Sequence, residues 1–491
     1  MTNNLFTTNP FNSDDEFGDD KLHEECGVFA VFGRNEAAAL TALGLHSLQH
    51  RGTEGAGVIT NDGLNFHQHK AMGKVGDNFN SPDVIEKLPG YAAIGHNRYS
   101  TAGKKGVLNI QPFCAELSFG NFALAHNGNF TNAKKMRQEL VNRGCIFQST
   151  MDTEILFQLV AQSRAATVPE KLAEALKQVE GASSIVAMDD KNVYGVRDPY
   201  GVRPLVLGKL GESEYVLASE TCALDIISAE FIRDIEPGEM VILNETGVHS
   251  SYPFPKQSQR FCIFEHVYFA RPDSVLDGRH VYEVRKSIGR ELAKESPVEA
   301  DLVSPVPDSG VPAAIGYAAQ TGLPFEFGII RNHYVGRTFI EPTDHIRNLG
   351  VKLKHNANTA SVKGKRVILV DDSIVRGTTS KKIVQMMKDA GATEVHMRIA
   401  SPPTTNSCFY GVDTPEQDKL MAHKHNIQEM CEMIGADSLA FISIDGLYRS
   451  VGEQARNNNT PQFCDACFTG EYPIRIQDSG IEAKATTDKA A

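Results

Sequence analysis

One segment decides the fold of the C-terminal half: Lys365-Arg-Val-Ile-Leu-Val-Asp371-Asp372-Ser373-Ile-Val-Arg-Gly377-Thr378-Thr379-Ser380. Its apolar residues Val367 to Val370 predict a buried strand, and the residues around Lys381 to Lys388 predict a helix. In an open α/β sheet, ligands bind where the strand ends, and amides at the N-terminus of the next helix favour a phosphate. The paired acids can meet ribose hydroxyls or a hydrated Mg²⁺. The segment therefore predicts a site for a phosphorylated sugar.

This segment resembles the phosphoribosyl pyrophosphate signature of type I phosphoribosyltransferases, whose fold is a doubly wound α/β domain. Residues 305–310 resemble the pyrophosphate loop of that family, and residues 331–340 resemble its mobile loop, with Arg331 and His333 where Lys and Arg are often found. The resemblance implies that phosphoribosyl pyrophosphate is bound by Asp308, Ser309, Tyr334, Arg337, Asp371, Asp372, Ser373, Gly377, Thr378 and Thr379. It implies a Mg²⁺ cofactor held by Ser309, Asp371 and Asp372. The chain has neither the Walker A spacing nor Gly-x-Gly-x-x-Gly, which disfavours an ATPase or a dinucleotide enzyme.

The N-terminal half contains the parts needed for amide hydrolysis. Cys26-Gly-Val-Phe-Ala-Val-Phe-Gly33 predicts a buried strand that begins with a cysteine. Arg98, Asn127-Gly128 and Asp152 each follow an apolar strand or open a helix. A thiolate, oxyanion donors, a cation and an anion together suit attack on an amino acid amide. Taken singly, Asn-Gly also fits a tight turn, and Asp152 also fits a helix N-cap. The helix predicted over Ala37 to Leu48 has Gly52 as its expected C-terminal cap.

These motifs resemble the N-terminal-nucleophile glutaminase domain from Cys26 to about Glu220, including Leu48-Gln-His-Arg-Gly52 and Arg197-Asp-Pro-Tyr-Gly-Val-Arg-Pro204. The resemblance implies a four-layer α/β/β/α sandwich. It implies that Cys26 is the nucleophile and that Asn127 and Gly128 form the oxyanion hole. Glutamine would be bound by Arg98, Thr101 and Asp152, with Arg98 on its carboxylate and Asp152 on its amino group.

The first 25 residues contain seven acids and one lysine. This composition favours a disordered, solvated tail, and the alternative is a propeptide. A cysteine needs a base to form its thiolate, and no base is adjacent in the sequence. Cleavage between Glu25 and Cys26 would expose an α-amine with a reference pKa of about 7.7–8.0, which could serve as that base.

The nine cysteines are odd in number and irregularly spaced, which indicates a reducing, cytoplasmic compartment. Cys464-Asp-Ala-Cys467 is a pair with metal-binding spacing. Spacing alone leaves structural zinc, an iron–sulfur cluster and ordinary buried thiols open.

A glutaminase followed by this transferase domain resembles the glutamine phosphoribosylpyrophosphate amidotransferase family over about Cys26 to Tyr472. That family transfers ammonia from glutamine to C1 of phosphoribosyl pyrophosphate, the entry step of purine synthesis. One branch of it carries a propeptide and a [4Fe-4S] cluster, which implies cluster ligands Cys262, Cys408, Cys464 and Cys467 and leaves Cys114, Cys145, Cys222 and Cys431 as packing residues. The expected division is a propeptide over 1–25, a glutaminase over 26–260, a phosphoribosyltransferase over 261–478 and a polar tail over 479–491.

Composition limits the partners of the chain. With 61 acids against 49 Lys and Arg, it lacks the net basic charge that duplex nucleic acid favours, and no apolar stretch suits a membrane span. The resemblance implies a homotetramer or dimer inhibited by purine nucleotides. A nucleotide-sensing regulator and another amidotransferase, of the sugar-phosphate or glutamate synthase type, are the rival interpretations. The glutaminase motifs argue against the first, and the Asp371–Thr379 segment argues against the second.

Overall fold

The computed structural model describes residues 23–24, 26–99, 106–332, 355–479 and 481. The N-terminal half contains two antiparallel sheets, and the C-terminal half contains one parallel sheet. None of the described helices is both long and apolar enough to cross a bilayer. The predicted division at residues 25, 260 and 478 stays a prediction.

The first antiparallel sheet is built around the strand that follows Cys26. Side chains alternate along a strand, so Val28 and Ala30 face the second sheet, whereas Phe29 and Val31 face a helix. In spatial order its seven strands are Glu230–Asp234, Val206–Lys209, Tyr215–Ala218, Gly27–Phe32, Ala92–Arg98, Gly55–Asn61 and Phe66–Met72.

The second sheet lies against the first through an apolar layer that includes Ala123, Ala125 and Val186. Its six strands, in spatial order, are Gly247–Ser251, Met240–Asn244, Val193–Arg197, Gly181–Asp189, Gly120–Phe130 and Phe113–Leu117. One outer face is covered by the helix Ala37–Ser47. The other is covered by the helices Ala133–Asn142, Thr153–Gln162 and Val168–Leu176. The predicted α/β/β/α sandwich is confirmed.

The parallel sheet has helices on both faces. Its strands, in spatial order, are Leu302–Pro305, Arg366–Asp371, Glu394–Ile399 and Ser438–Phe441. Ile368 and Val370 pack in one apolar cluster and Val367 and Leu369 in another, as alternation requires. The helices Val281–Glu295 and Val311–Thr321 cover the first face, and Thr378–Asp389 and Ile427–Ile434 cover the second. The doubly wound α/β fold is therefore confirmed.

Short elements connect these layers. Two-residue strands pair His23–Glu24 with Val412–Asp413, Phe261–Cys262 with Phe463–Cys464, and Val275–Leu276 with Arg279–His280, and the three-residue strand Ile329–Arg331 pairs with His355–Ala357. A π-helical turn, Glu265–Phe269, joins the two halves. Among the described residues, the remaining helices are Val75–Asn78, Pro82–Glu86, Cys222–Asp225, Thr359–Val362, Met421–Lys424, Ile444–Ser450 and Ala466–Thr469, with 3₁₀ turns at Gln49–Arg51, Val107–Asn109, Gln417–Lys419 and Gln477–Ser479.

Candidate functional site

Cys26 lies at the start of the central strand of the first sheet. It is 6% exposed and has a φ of 75°, an unusual conformation for a residue with a side chain. Its backbone N donates to the carbonyl of Arg51 at 2.9 Å, and its Sγ lies 3.8 Å from the carbonyl oxygen of Tyr99. Backbone outliers of this kind cluster at functional sites, which agrees with the predicted nucleophile.

Asn127 and Gly128 lie on the strand Gly120–Phe130 of the second sheet. Asn127 is fully buried, and its side-chain amide makes no hydrogen bond to another described residue. A buried polar group in this condition is costly unless a ligand satisfies it. Gly128 has a φ of 135°, and a Cβ at this position would lie 2.0 Å from the carbonyl oxygen of Ala182. Only glycine fits there, and the unsatisfied amide beside it suits an oxyanion donor.

Arg98, His96, His126 and Asp152 are all buried. Burial, followed by the charges of His126 and Arg98, lowers the pKa of His96 to about 3. His126 Nδ1 is 3.8 Å from Asp152 Oδ1. A buried cation and a buried anion therefore accompany these histidines, and binding of an amino acid requires both charges. Thr101 lies outside the described residues.

The side chain of Asp152 does not cap the helix Thr153–Gln162 that follows it. Instead, its Oδ2 accepts a hydrogen bond from the backbone N of Phe130 at 3.0 Å. The acid is thus turned towards the strand that carries Asn127 and Gly128. The two histidines were missed from the sequence, although both stand directly before an asparagine in the quoted motifs.

The prediction that Gly52 caps the helix beginning at Ala37 is wrong. The helix ends at Ser47, and Gly52 is extended with a φ of −170°. A Cβ on Gly52 would lie 2.6 Å from the carbonyl carbon of Arg98. Glycine is needed at this position because two backbones approach closely beside the glutaminase site.

The paired acids of the C-terminal half end the strand Arg366–Asp371, as predicted. Asp371 and Asp372 are 2% and 1% exposed. The backbone N of Asp372 donates to Asp371 Oδ1 at 2.9 Å, and Ser373 Oγ donates to Asp372 Oδ1 at 2.6 Å. Gly377, with a φ of 79°, turns the chain into the helix Thr378–Asp389 and is its N-cap residue, which has no side chain to cap the helix. Such an N-terminus suits a phosphate group.

The predicted pyrophosphate loop lies against the same strand. The backbone N of Val306 donates to the carbonyl of Val370 at 2.8 Å, and a Cβ on Gly310 would lie 2.2 Å from that oxygen. Asp308 forms an ion pair with Arg331. The structure therefore brings this loop beside the paired acids. Tyr334 and Arg337 lie outside the described residues.

Four cysteines from three separate segments of the chain line one cavity. They are Cys262, Cys408, Cys464 and Cys467, and the cavity is otherwise walled by largely apolar side chains, including Phe264 and Tyr410. Cys262 and Cys464 are register partners in a parallel strand pair. Burial, followed by the neighbouring thiols, raises the pKa of Cys464 and Cys467.

Within the described part of the chain, no three His, Cys, Asp or Glu side chains converge on one metal ion. Four cysteines are a common ligand set of an iron–sulfur cluster, in which different irons take different thiolates, and four cysteines also hold structural zinc. Cys114, Cys145, Cys222 and Cys431 do not line this cavity.

The C-terminal half also forms part of the wall beside the glutaminase site. Asn129 Nδ2 donates to the carbonyl of Phe409 at 3.0 Å, and Thr131 Oγ1 donates to that of Arg475 at 2.6 Å. Sequence reasoning missed these contacts because they join segments about 280 and 344 positions apart.

Two sites in one chain, one for amide hydrolysis and one for a phosphorylated ribose, define a glutamine-dependent amidotransferase with a phosphoribosyltransferase domain. Residues 96–225 match the glutamine amidotransferase domain family, and residues 273–401 match the phosphoribosyl transferase domain family. The chain is 55% identical over 479 residues to an amidophosphoribosyltransferase of Rhizobium etli, covering 96% of each. It is 47% identical over 461 residues to that of Bacillus subtilis, covering 94% of this chain and 96% of the relative. The chain belongs to the amidophosphoribosyltransferase family.

Solved structures agree. The glutamine phosphoribosylpyrophosphate amidotransferase of B. subtilis, complexed with ADP and GMP, is 46% identical with a TM-score of 0.87, covering 92% of this chain and 98% of that one. A structure described as the allosteric regulatory enzyme of purine biosynthesis is also 46% identical, with a TM-score of 0.89 and coverage of 94% and 100%.

Proposed function

We infer that this chain catalyses the first step of purine biosynthesis, the formation of 5-phosphoribosylamine from glutamine and phosphoribosyl pyrophosphate. The observation that carries this inference is the presence of a buried nucleophile site and a paired-acid phosphate site in one chain of this family. Glutamine and water give glutamate and ammonia at the first site. Ammonia then bonds to C1 of the ribose at the second, and pyrophosphate leaves.

In the first half-reaction, Cys26 attacks the side-chain amide of glutamine and forms a thioester, which water hydrolyses. Asn127 Nδ2 and the backbone N–H of Gly128 stabilise the oxyanion. Arg98 and Asp152 hold the carboxylate and the amino group of the substrate. The α-amine of a processed Cys26 accepts the thiol proton and passes it to the departing ammonia. The carbonyl of Arg51, which accepts from this nitrogen in the structure, orients it.

In the second half-reaction, Asp371 and Asp372 orient the ribose, and the amides at the start of the helix Thr378–Asp389 bind its phosphate. Asp308 and Ser309 lie on the loop that receives the pyrophosphate group. Ser309, Asp371 and Asp372 would hold Mg²⁺, which when bound would supply charge stabilisation for the leaving pyrophosphate.

The four cysteines of the common cavity are proposed to hold a [4Fe-4S] cluster, and residues 1–25 are proposed to be a propeptide. The cavity supports the first proposal, and the acidic leader before a buried Cys26 supports the second. We further propose that the enzyme is cytoplasmic and forms a homotetramer. Purine nucleotides are proposed to inhibit it. The B. subtilis relative complexed with ADP and GMP supports the nucleotide inhibition.

The decisive experiment supplies the purified protein with Mg²⁺, phosphoribosyl pyrophosphate and either glutamine or ammonia. Pyrophosphate should be released with both nitrogen sources, and with glutamine it should appear in equal amount to glutamate. A nucleotide sensor would bind phosphoribosyl pyrophosphate without releasing pyrophosphate. An amidotransferase with another acceptor would produce glutamate but leave phosphoribosyl pyrophosphate intact.

A further inference from the structure

Glu265 lies where the two halves of the chain meet, at the start of the π-helical turn Glu265–Phe269. Its side chain is fully buried and lies between two arginines that are also fully buried. Oε2 accepts from Arg51 Nη2 at 2.8 Å, and Oε1 accepts from Arg203 Nη2 at 2.9 Å. One carboxylate therefore bridges two cations inside the protein.

Each of these arginines leads to a different part of the glutaminase site. The carbonyl of Arg51 accepts from the backbone N of Cys26 at 2.9 Å. Arg203 Nη1 donates to the carbonyl of Gly411 at 3.4 Å, and Gly411 packs against Gly128. The support of the nucleophile and the support of the oxyanion glycine thus meet at Glu265.

A second carboxylate, Glu220, does not replace this bridge. It pairs with Arg51 and is further occupied by His50 at 2.5 Å and Ser274 at 2.7 Å. Burial opposes its charge, but Arg51 and His50 outweigh burial and lower its pKa. Among the carboxylates of the described residues, Glu265 alone pairs with both Arg51 and Arg203.

The backbone of the same turn is anchored from the other side. Arg285 donates from Nε to the carbonyl of His266 at 3.0 Å and from Nη2 to that of Ala270 at 2.7 Å. Arg285 also interacts electrostatically with Asp372 of the phosphoribosyl site. Because Arg285 holds the backbone of this turn in place, the Glu265 side chain is positioned to hold the two arginines.

We propose that Glu265 is a positioning residue for glutamine hydrolysis, supplied by the junction between the halves, which aligns Cys26 with the oxyanion hole through Arg51 and Arg203. This proposal rests on the proposed function, because it concerns the first of its two half-reactions. The Glu265 side chain is bonded to Arg51 and Arg203, neither of which is among the residues assigned to substrate binding. Its loss should therefore impair the chemistry of the thiolate and leave the ribose reaction intact.

The test uses the full-length enzyme with Glu265→Gln, which removes the charge, and Glu265→Asp, which shortens the reach. In both variants, the kcat with glutamine should fall by about 10- to 100-fold, because small misalignments of reacting groups cause losses of this size. The KM for glutamine should change by less than about twofold, because Arg98 and Asp152 are untouched. The kcat with ammonia should equal that of the wild type.

Glu239→Gln is the matched control. Glu239 is also fully buried and accepts from Arg233 at 2.7 and 2.8 Å, and the hydrogen bonds of its side chain to described residues go to Arg233, Glu236 and Ser250 rather than to Arg51 or Arg203. It should keep the wild-type ratio of glutamine to ammonia rates. If the Glu265 variants fail to fold, Arg203→Lys tests the proposal instead. This change keeps the cation but removes the second donor, which binds the carbonyl of Gly411. The kcat should then fall with glutamine and stay unchanged with ammonia.

Any one of three results would overturn the proposal. The first is a wild-type ratio of glutamine-dependent to ammonia-dependent kcat in folded Glu265 variants. The second is that ratio in Arg203→Lys when the Glu265 variants do not fold, and the third is a selective loss of glutamine-dependent activity in Glu239→Gln. Equal losses with both nitrogen sources in a folded Glu265 variant give a wild-type ratio and therefore count as the first of these results. A wild-type enzyme that makes phosphoribosylamine from neither source would instead refute the proposed function.

Discussion

Gly411, from the C-terminal half, lies directly against Gly128 of the glutaminase half. A Cβ on Gly411 would be 2.8 Å from the Cα of Gly128, and the two residues have φ angles of 99° and 135°. Next to them, Asn129 binds the carbonyl of Phe409. The strand that carries the candidate oxyanion donors is therefore held in place by the other half of the chain.

Replacing Gly411 with alanine should displace Gly128. We expect a loss of glutamine-dependent activity of about tenfold or more, with ammonia-dependent activity retained, because only the first half-reaction uses the oxyanion hole. Gly435→Ala is the control: it has a φ of 75° but nothing within 4 Å of its Cβ. Both variants should lose about 1 kcal/mol of stability from backbone strain, measured by thermal unfolding. An unchanged ratio of the two activities in Gly411→Ala would contradict the coupling.

Cys26→Ala should separate the two half-reactions. Glutamine-dependent synthesis should disappear, whereas high ammonia should still support phosphoribosylamine formation, since the thiolate takes no part at the ribose. Pyrophosphate release with each nitrogen source is the measurement. A folded Cys26→Ala protein that binds phosphoribosyl pyrophosphate and fails with ammonia would show that the division of labour is wrong.

Asp372→Asn should depress synthesis from both nitrogen sources together. The change removes a negative charge beside the ribose and Mg²⁺, and we expect about 2–4 kcal/mol of lost transition-state stabilisation from kcat/KM. Asp389→Asn, on the exposed end of the following helix, should have no such effect. A selective loss with glutamine alone would argue against Asp372 as a ribose residue.

The cysteine cavity predicts a brown protein after anaerobic purification. About four irons and four sulfides per chain are expected, as a four-cysteine cluster requires. Cys464→Ser should lose colour and stability, while Cys431→Ser, at a buried cysteine outside the cavity, should keep its iron. A colourless, active preparation with one zinc per chain would identify a different metal.

If residues 1–25 are a propeptide, the active protein should begin at Cys26. Loss of the leader exposes the α-amine that the thiol needs as a base. Intact-mass analysis or Edman sequencing of active enzyme should therefore find Cys26 first. Active enzyme that still carries Met1 would be incompatible with this role of the amine.

Much of the architecture can be predicted from the sequence, because it depends on local patterns of apolar and polar residues. The apolar run at Val367 to Val370 became the strand Arg366–Asp371, and the run after Cys26 became the strand Gly27–Phe32. Gly52 shows where local patterns fail. Its backbone is set by a neighbouring strand at Arg98, and helix-end statistics contain no information about that neighbour.

The sequence by itself determined the residue chemistry: a cysteine before a buried strand, paired acids before a phosphate-binding turn, and four cysteines whose spacing left zinc, a cluster or free thiols open. Only the tertiary structure placed those cysteines around one cavity, brought His126 to 3.8 Å from Asp152, and joined Arg51 to Glu265 across 214 positions. The reason is physical. Periodicity reports which face of an element is buried, whereas contacts between distant segments depend on how the two halves pack.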